Sequence, residues 1–368
     1  MPLAEININD YDQFFKHKIS VFKESLETLG EASPHCKIDV FPSPKQHYRL
    51  RAEFKIWHQG NIARYAMSDP ETKKPLFIDS FPVAAKKIND LMPPLLEAIN
   101  SKDVLRKKCF QIEFLTTLTA DTVVTLIYHR ALNEEWVEAI KPIKESLGIH
   151  IIGRSRKQKI ILDRDYVTET LSVNNTDYQY QQIEGSFSQP NGKVCEKMLA
   201  WAVDKSQGFG GDLLELYCGN GNFTIPLSKN FNKVIATEIS KTSVKSALEN
   251  LVKNDIDNVS IARMSSEEFV EAMDKVREFR RLKSIDLDDY HFSSVFVDPP
   301  RAGLDDQTVE MVKRFDNIIY ISCNPTTLLD NLNVLCKTHK ITALAAFDQF
   351  PYTNHLETGV ILSSIDST

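Results

Sequence analysis

The sequence has no CxxC pair and no cysteine and histidine spacing of the kind that holds a metal. Its six cysteines, Cys36, Cys109, Cys195, Cys218, Cys323 and Cys336, stand apart, so zinc and iron–sulfur sites are not expected. No apolar run approaches the ~20 residues a membrane span needs, and the N-terminus lacks the basic-then-apolar pattern of a secretory signal. The cytoplasm is the predicted location. There is no internal repeat and no low-complexity linker. Nor is there an excess of basic charge: 44 Lys and Arg against 50 Asp and Glu give a net charge of −6, which argues against a surface coated for nucleic acid. The deficit is unevenly placed. Residues 1–185 carry 25 basic and 25 acidic side chains, so local basic clusters in that half can still grip phosphate.

At 368 residues the chain has room for about two to three domains of ~150 residues, and its halves are built differently. Residues Tyr11–Leu29 and Val83–Asn100 read as helices, and His47–Met67 as a hairpin turning at His58-Gln59-Gly60-Asn61. Alternation in its first strand points Leu50, Ala52, Phe54 and Ile56 to one face and Arg49, Arg51, Glu53 and Lys55 to the other. That second face is a candidate phosphate-contacting surface. Further strands are expected at Phe110–Leu118, Thr122–His129, Ile151–Arg154 and Gln158–Leu162, which together make an antiparallel α+β module. Phe110 follows the basic run Arg106-Lys107-Lys108. Spacing alone favours an ordinary strand-core residue there, with stacking on an RNA base as the alternative. The boundary between the halves is expected near Tyr180–Ser188.

In the second half, four apolar strands each end in a polar cluster. Asp212–Tyr217 runs into Cys218-Gly219-Asn220-Gly221-Asn222, and Lys233–Thr237 runs into Glu238. Ser294–Val297 runs into Asp298-Pro299-Pro300-Arg301, and Asn317–Ile321 into Ser322-Cys323-Asn324-Pro325. Helical stretches such as Thr242–Lys253 and Thr308–Arg314 separate them. This alternation predicts a mostly parallel sheet, whose ligands bind beyond the carboxyl ends of its strands, so all four clusters should face one crevice.

Gly219 and Gly221 allow a tight turn and a close approach to a ligand, but a third glycine is missing, with Thr224 in its place. The dinucleotide fingerprint is therefore incomplete. Adenosine without a pyrophosphate is the better fit, with Glu238 placed to accept ribose hydroxyls; the alternative for Glu238 is a surface carboxylate at a strand end. Asp298 sits in a turn stiffened by two prolines. In methyltransferases that act on amino groups a similar Asp/Asn-Pro-Pro is followed by an aromatic residue, where Arg301 stands here. Cys323, held before Asn324-Pro325, is a candidate nucleophile; the alternative is a buried small hydrophobe.

The runs Leu213–Phe223, Phe296–Arg301, Ile321–Pro325, Phe347–Pro351 and Thr353–Glu357, with Tyr48–Phe54 and Asp79–Pro82 in the first half, resemble the bacterial tRNA (uracil-5-)-methyltransferase family along the whole chain. The resemblance implies a Rossmann-like class I S-adenosylmethionine (SAM)-dependent methyltransferase domain at 183–368, preceded by an RNA-binding α+β domain at 1–182. It implies SAM as methyl donor, with no metal or iron–sulfur cluster, and a SAM site lined by Gln189, Tyr217, Asn222, Glu238 and Asp298. It makes Cys323 the thiolate that adds to carbon 6 of uracil and Glu357 the base that removes the carbon 5 proton. The implied substrate is the T-loop uridine at position 54 in the T arm of tRNA, with transfer-messenger RNA (tmRNA) as a further target and no obligate protein partner. Arg49, Arg51 and Lys55 would then hold the RNA backbone, and Phe110 would fill the space left by a flipped base. Methylation of a ribosomal RNA uridine is the nearest competing activity, and an RNA-folding role beside catalysis is a reading of a different class.

Overall fold

The computed structural model describes residues 6–34, 36–69 and 72–365. The chain forms two compact units, each assembled from three segments: Met1–Tyr11, Pro44–Thr170 and Gln182–Lys193 in the first; Asp12–Ser43, Leu171–Gln181 and Val194–Thr368 in the second. The chain thus changes unit once inside the expected boundary region, at Gln181, and at four other places. The passages at Thr170 and Gln181 fall within a two-stranded hairpin, Tyr166–Val173 with Thr176–Ile183. It turns through Asn174 and Asn175, both left-handed, a conformation that asparagine tolerates.

The first unit is built on a seven-stranded sheet in the order Pro75–Phe77, Ile62–Ser68, Arg51–Gln59, Cys109–Thr116, Thr122–Tyr128, His150–Ser155, Gln158–Ile161. The expected hairpin forms with a two-residue turn, because Gly60 adopts φ +60° and Gln59 pairs with Ile62. Ala52, Phe54 and Ile56 are buried as the alternation requires. The module is not wholly antiparallel, however: Thr122–Tyr128 and His150–Ser155 pair in parallel. A helix at Glu134–Leu147 makes the crossover, as a parallel pair demands. Its ends carry ordinary signals, Asn133 accepting from the amide of Trp136 and Gly148 closing the C-terminus in the left-handed region.

The second unit centres on an eight-stranded sheet. Its order is Ile38–Phe41, His339–Phe347, Glu357–Ser364, Asn317–Ser322, Phe292–Val297, Asp212–Leu216, Val234–Thr237, Val259–Ala262. All neighbours run parallel except Glu357–Ser364, which is antiparallel to both of its own. Asp212–Leu216 and Val234–Thr237 are buried at every position, which is why they read as continuous apolar runs. One face of the sheet packs Val295, Val297, Ile318, Tyr320, Val360 and Leu362 against Leu328 and Leu332 of the helix Pro325–Leu335. Phe22 and Leu26 of the helix Tyr11–Leu26 join the same core. Burying each such side chain contributes about 1.5–3 kcal/mol, enough to hold this N-terminal helix in a unit made mostly from the chain's second half. The helix ends sooner than the apolar pattern suggests, passing into a 3-10 stretch at Glu27–Ala32 that bends at Gly30. Among the described residues no helix is long and apolar enough to cross a membrane.

Candidate active site

Four neighbouring parallel strands end at one edge of the sheet, and their next residues are Tyr217, Glu238, Asp298 and, after Ser322, Cys323. Glu357 arrives at the same edge from the opposite direction, as the first residue of the antiparallel strand. Ser322 pairs with Thr358 and Ile321 with Gly359, so one further step in register sets Cys323 across from Glu357. The hydroxyl of Thr358 donates to the carbonyl of Ser322 at 3.1 Å and locks that register at the strand end.

The loop carrying Cys323 is braced. The Ser322 hydroxyl donates to Asn324 O at 3.1 Å and accepts the Asn324 amide at 3.2 Å. Asn324 caps the helix that starts at Pro325, accepting from Thr326 N at 3.2 Å. Its side-chain amide and the Thr327 hydroxyl both donate to Arg301 O, at 2.9 and 3.2 Å, tying the Asp298–Arg301 turn to the cysteine loop. Cys323 and Arg301 also line one cavity of about 500 Å³, together with His17, Asn324, Thr326 and His355.

The electrostatics of this cluster are set by burial and by like charges. Burial pushes the pKa of Glu357 up to about 8; Asp298 raises it further, and Arg301 opposes both. Burial alone pushes Asp298 up to about 7. The Cys323 thiol is pushed up to about 11, by burial first and then by Glu357 and Asp298, again against Arg301. Buried Glu215, one strand over, is held at about 8 by burial, with Asp298 adding to the rise. Asp298 therefore makes ionisation of Glu357, Glu215 and Cys323 harder, and Arg301 is the cation that relieves Cys323 and Glu357 together.

On the other side of Asp298 the backbone turns sharply. Tyr217, Gly219 and Gly221 all have positive φ, at 62, 57 and 83°, and a bulky tyrosine there is strained. The Tyr217 hydroxyl meets Ser266 Oγ at 2.8 Å. Glu238 accepts the Gly219 amide at 3.0 Å on one oxygen and the Ser240 amide at 2.7 Å on the other. Each oxygen keeps a lone pair for a ligand hydroxyl. A Cβ at Gly219 would meet open space, so bare backbone faces outward beside that carboxylate. Asn222 is fixed by Tyr180, whose hydroxyl donates to its carbonyl at 3.0 Å, and its side-chain amide lies 3.4 Å from Cys195 Sγ. These groups fit an adenosine-type ligand held by its ribose. Gln189 belongs to the first unit.

The candidate RNA-contacting residues all lie in the first unit. Arg49 Nε donates to Arg51 O at 2.9 Å, and Arg51 donates to Ser186 O at 2.8 Å. Lys55 is exposed, 3.3 Å from the Ser68 hydroxyl. Phe110 is not a core residue: it is 38 % exposed and stacks on His129, with ring centroids 4.2 Å apart and 20° between planes. The cause is a register shift between Cys109 and Gln111, a bulge that releases Phe110 from the alternation its neighbours obey. His129 carries no sequence signal of its own.

An open α/β sheet with a glycine turn after one strand, an acid after the next, and a cysteine facing buried carboxyls defines a Rossmann-like methyltransferase. The family model for tRNA (Uracil-5-)-methyltransferases matches residues 10–365, and the chain belongs to that family. It is 58% identical over 363 residues to the tRNA/tmRNA (uracil-C(5))-methyltransferase of Saccharophagus degradans, covering 98% of each chain. To the protein of that name from Vibrio parahaemolyticus it is 56% identical over 369 residues, covering 98% of this chain and 99% of the relative. Its fold is shared with the solved Pyrococcus abyssi tRNA (uracil-54, C5)-methyltransferase in complex with S-adenosyl-L-homocysteine. That match has a TM-score of 0.70 and 20% identity, covering 95% of this chain and 83% of that one.

The charge arrangement around Cys323 has a direct readout in thiol alkylation. At pH 9, above the pKa of Glu357 and below that of Cys323, Glu357→Gln should speed alkylation of Cys323 by roughly a few-fold, and Arg301→Gln should slow it, because the first removes a cause that raises the thiol pKa and the second one that lowers it. Peptide mass spectrometry after iodoacetamide treatment measures both rates; changes of the opposite sign would contradict the arrangement.

Proposed function

We propose that the protein methylates carbon 5 of the T-loop uridine at position 54 of tRNA, through a covalent bond between Cys323 and carbon 6 of the uracil, with Glu357 as the base. Family membership makes it a SAM-dependent uracil-C5 methyltransferase acting on tRNA, and its relatives' names extend the substrates to tmRNA. The observation that carries the finer reading is the register placing Cys323 opposite Glu357, beside Asp298, at the carboxyl edge of the sheet.

Carbon 5 of uracil is a weak nucleophile. Addition of the Cys323 thiolate to carbon 6 moves the double-bond electrons toward oxygen 4 and makes carbon 5 electron-rich. When bound, SAM supplies an electrophilic methyl group and a positive sulfonium charge, and Tyr217, Asn222, Glu238 and Asp298 would hold it. After methylation carbon 5 carries both a methyl group and a hydrogen. The Glu357 carboxylate takes that proton, the carbon 5–carbon 6 double bond reforms, and the electron pair of the carbon–sulfur bond leaves with Cys323 as thiolate. Burial suits Glu357 to this task by making its carboxylate more basic. The accepting form is the ionised one, present above the pKa and lost as pH falls through it. Asp298, the shared neighbour of both groups, would stand closest to the reacting carbon. In the first unit, Arg49, Arg51 and Lys55 would grip the RNA backbone, and the exposed Phe110–His129 pair offers a flat aromatic face on which an unstacked base can rest.

The test is transfer of labelled methyl groups to T-arm RNA. Cys323→Ala should abolish it, and Glu357→Gln should lower kcat by about 10²–10⁴-fold, the usual span for a lost general base. Full turnover by Cys323→Ala, or unchanged methylation when the target uridine is replaced by another base, would overturn the assignment.

The aromatic pair generates a separate expectation. Phe110→Ala should weaken RNA binding by about 1–3 kcal/mol, as loss of one base-stacking side chain does, with SAM affinity unchanged. Filter binding across a salt series should also show affinity falling steeply with ionic strength. An unaltered affinity in Phe110→Ala would remove the stacking role, and a flat salt response would remove the basic face.

A further inference from the structure

Outside the reacting cluster, one buried charge is placed where it can control the base. Lys18, on the helix Tyr11–Leu26, inserts its ammonium into the nine-residue loop that joins Phe347 to Glu357. It donates to Asp348 Oδ1 at 2.6 Å, to Phe350 O at 2.8 Å and to His355 O at 3.0 Å. The side chains of Lys18 and Asp348 are only 5 and 1 % exposed. A lysine ammonium has three N–H donors, and all three are spent on this loop, at its first residue, its third residue and two residues before Glu357. One turn earlier on the same helix, Phe14 meets the ring of Tyr352 edge-on, with centroids 6.3 Å apart. Tyr352 has φ +62°, a strained conformation that persists where its surroundings hold it.

We propose that Lys18 is a positioning residue for proton removal: by gathering the carbonyls of Phe350 and His355 around one buried ammonium, it fixes the loop that delivers Glu357 to carbon 5. This rests on the reading of Glu357 as the base. The loop has both ends pinned by the pairing of Phe347 with Glu357, yet the direction of the Glu357 carboxylate depends on the backbone that leads into it from His355. Two hydrogen bonds to main-chain carbonyls set that backbone regardless of the side chains in between. A buried ammonium must find acceptors for all three donors, and Lys18 takes the two beyond Asp348 from the backbone of the one loop that leads into Glu357.

A structural role and a positioning role separate in the step at which turnover stops. With a displaced base, addition of Cys323 and methylation proceed, but the carbon 5 proton stays, so the carbon–sulfur bond cannot break. The methylated RNA–protein adduct then accumulates on ordinary uridine RNA. Two variants are compared with Glu357→Gln: Lys18→Met, and Lys18→Met combined with Asp348→Leu, which leaves no unpaired buried carboxylate and guards against failure to fold. The expected result for both is kcat lowered about 10–100-fold, as a displacement of around 1 Å can do. KM for T-arm RNA should stay within about twofold, and the adduct should be visible by denaturing gel and intact mass as in Glu357→Gln. Unchanged kcat in the folded double variant, or reduced kcat without adduct while Glu357→Gln accumulates it, overturns the positioning role. Absence of adduct in Glu357→Gln itself would instead remove the base assignment beneath it.

Discussion

Pairing of Ser322 with Thr358 is the contact on which the site depends. Because Glu357–Ser364 runs against both of its neighbours, the beginning of that strand lies where the parallel strands end, and a glutamate is set across from a cysteine 34 residues earlier in the chain. The braces around it serve that register: Thr358 on the Ser322 carbonyl, Asn324 and Thr327 on the Arg301 carbonyl, Lys18 on the incoming loop. Shifting the strand by one residue would turn Glu357 to the opposite face of the sheet.

Burial of several acids in one place gives the cluster its chemistry. Glu215, Asp298 and Glu357 all have pKa values between about 7 and 8, and the thiol stands near 11. In water these carboxyls would be ionised and inert as bases at neutral pH. Here burial makes their ionised forms dear and therefore proton-hungry, which is what removal of a carbon-bound proton requires. The same field discourages the thiolate, so Arg301 matters as the positive partner of Cys323.

Much of this was legible in the sequence because strands buried on both faces read as apolar runs that stop at polar residues. Glu238, Asp298 and Cys323 were visible in that way, each past a strand end; Tyr217 read as the last residue of its strand, and the family resemblance supplied it. Glu357 was not, since an antiparallel strand carries its important residue at the start, where periodicity offers no cue; the family resemblance supplied it. Phe110 was hidden by a bulge that breaks the alternation from which its burial was inferred. The parallel pair in the first unit was missed along with its crossover helix, although Asn133 and Gly148 mark the ends of that helix. Nothing local in Tyr11–Leu26 says that it packs with Leu328 and Leu332, some three hundred residues on. Alternation did place Arg51 opposite the core, but its hydrogen bond to Ser186 depends on chain segments far apart in sequence.

The central claim is that Cys323 forms a covalent bond to the uracil it activates. Mass spectrometry after incubation with SAM and a T-arm RNA carrying 5-fluorouridine at the target position tests it most directly, because fluorine on carbon 5 cannot leave as a proton. The account predicts a stable RNA–protein adduct, heavier by one methyl group and mapped to Cys323. An adduct on another residue, or none with tRNA or any other RNA while ordinary uridine is methylated, would contradict it.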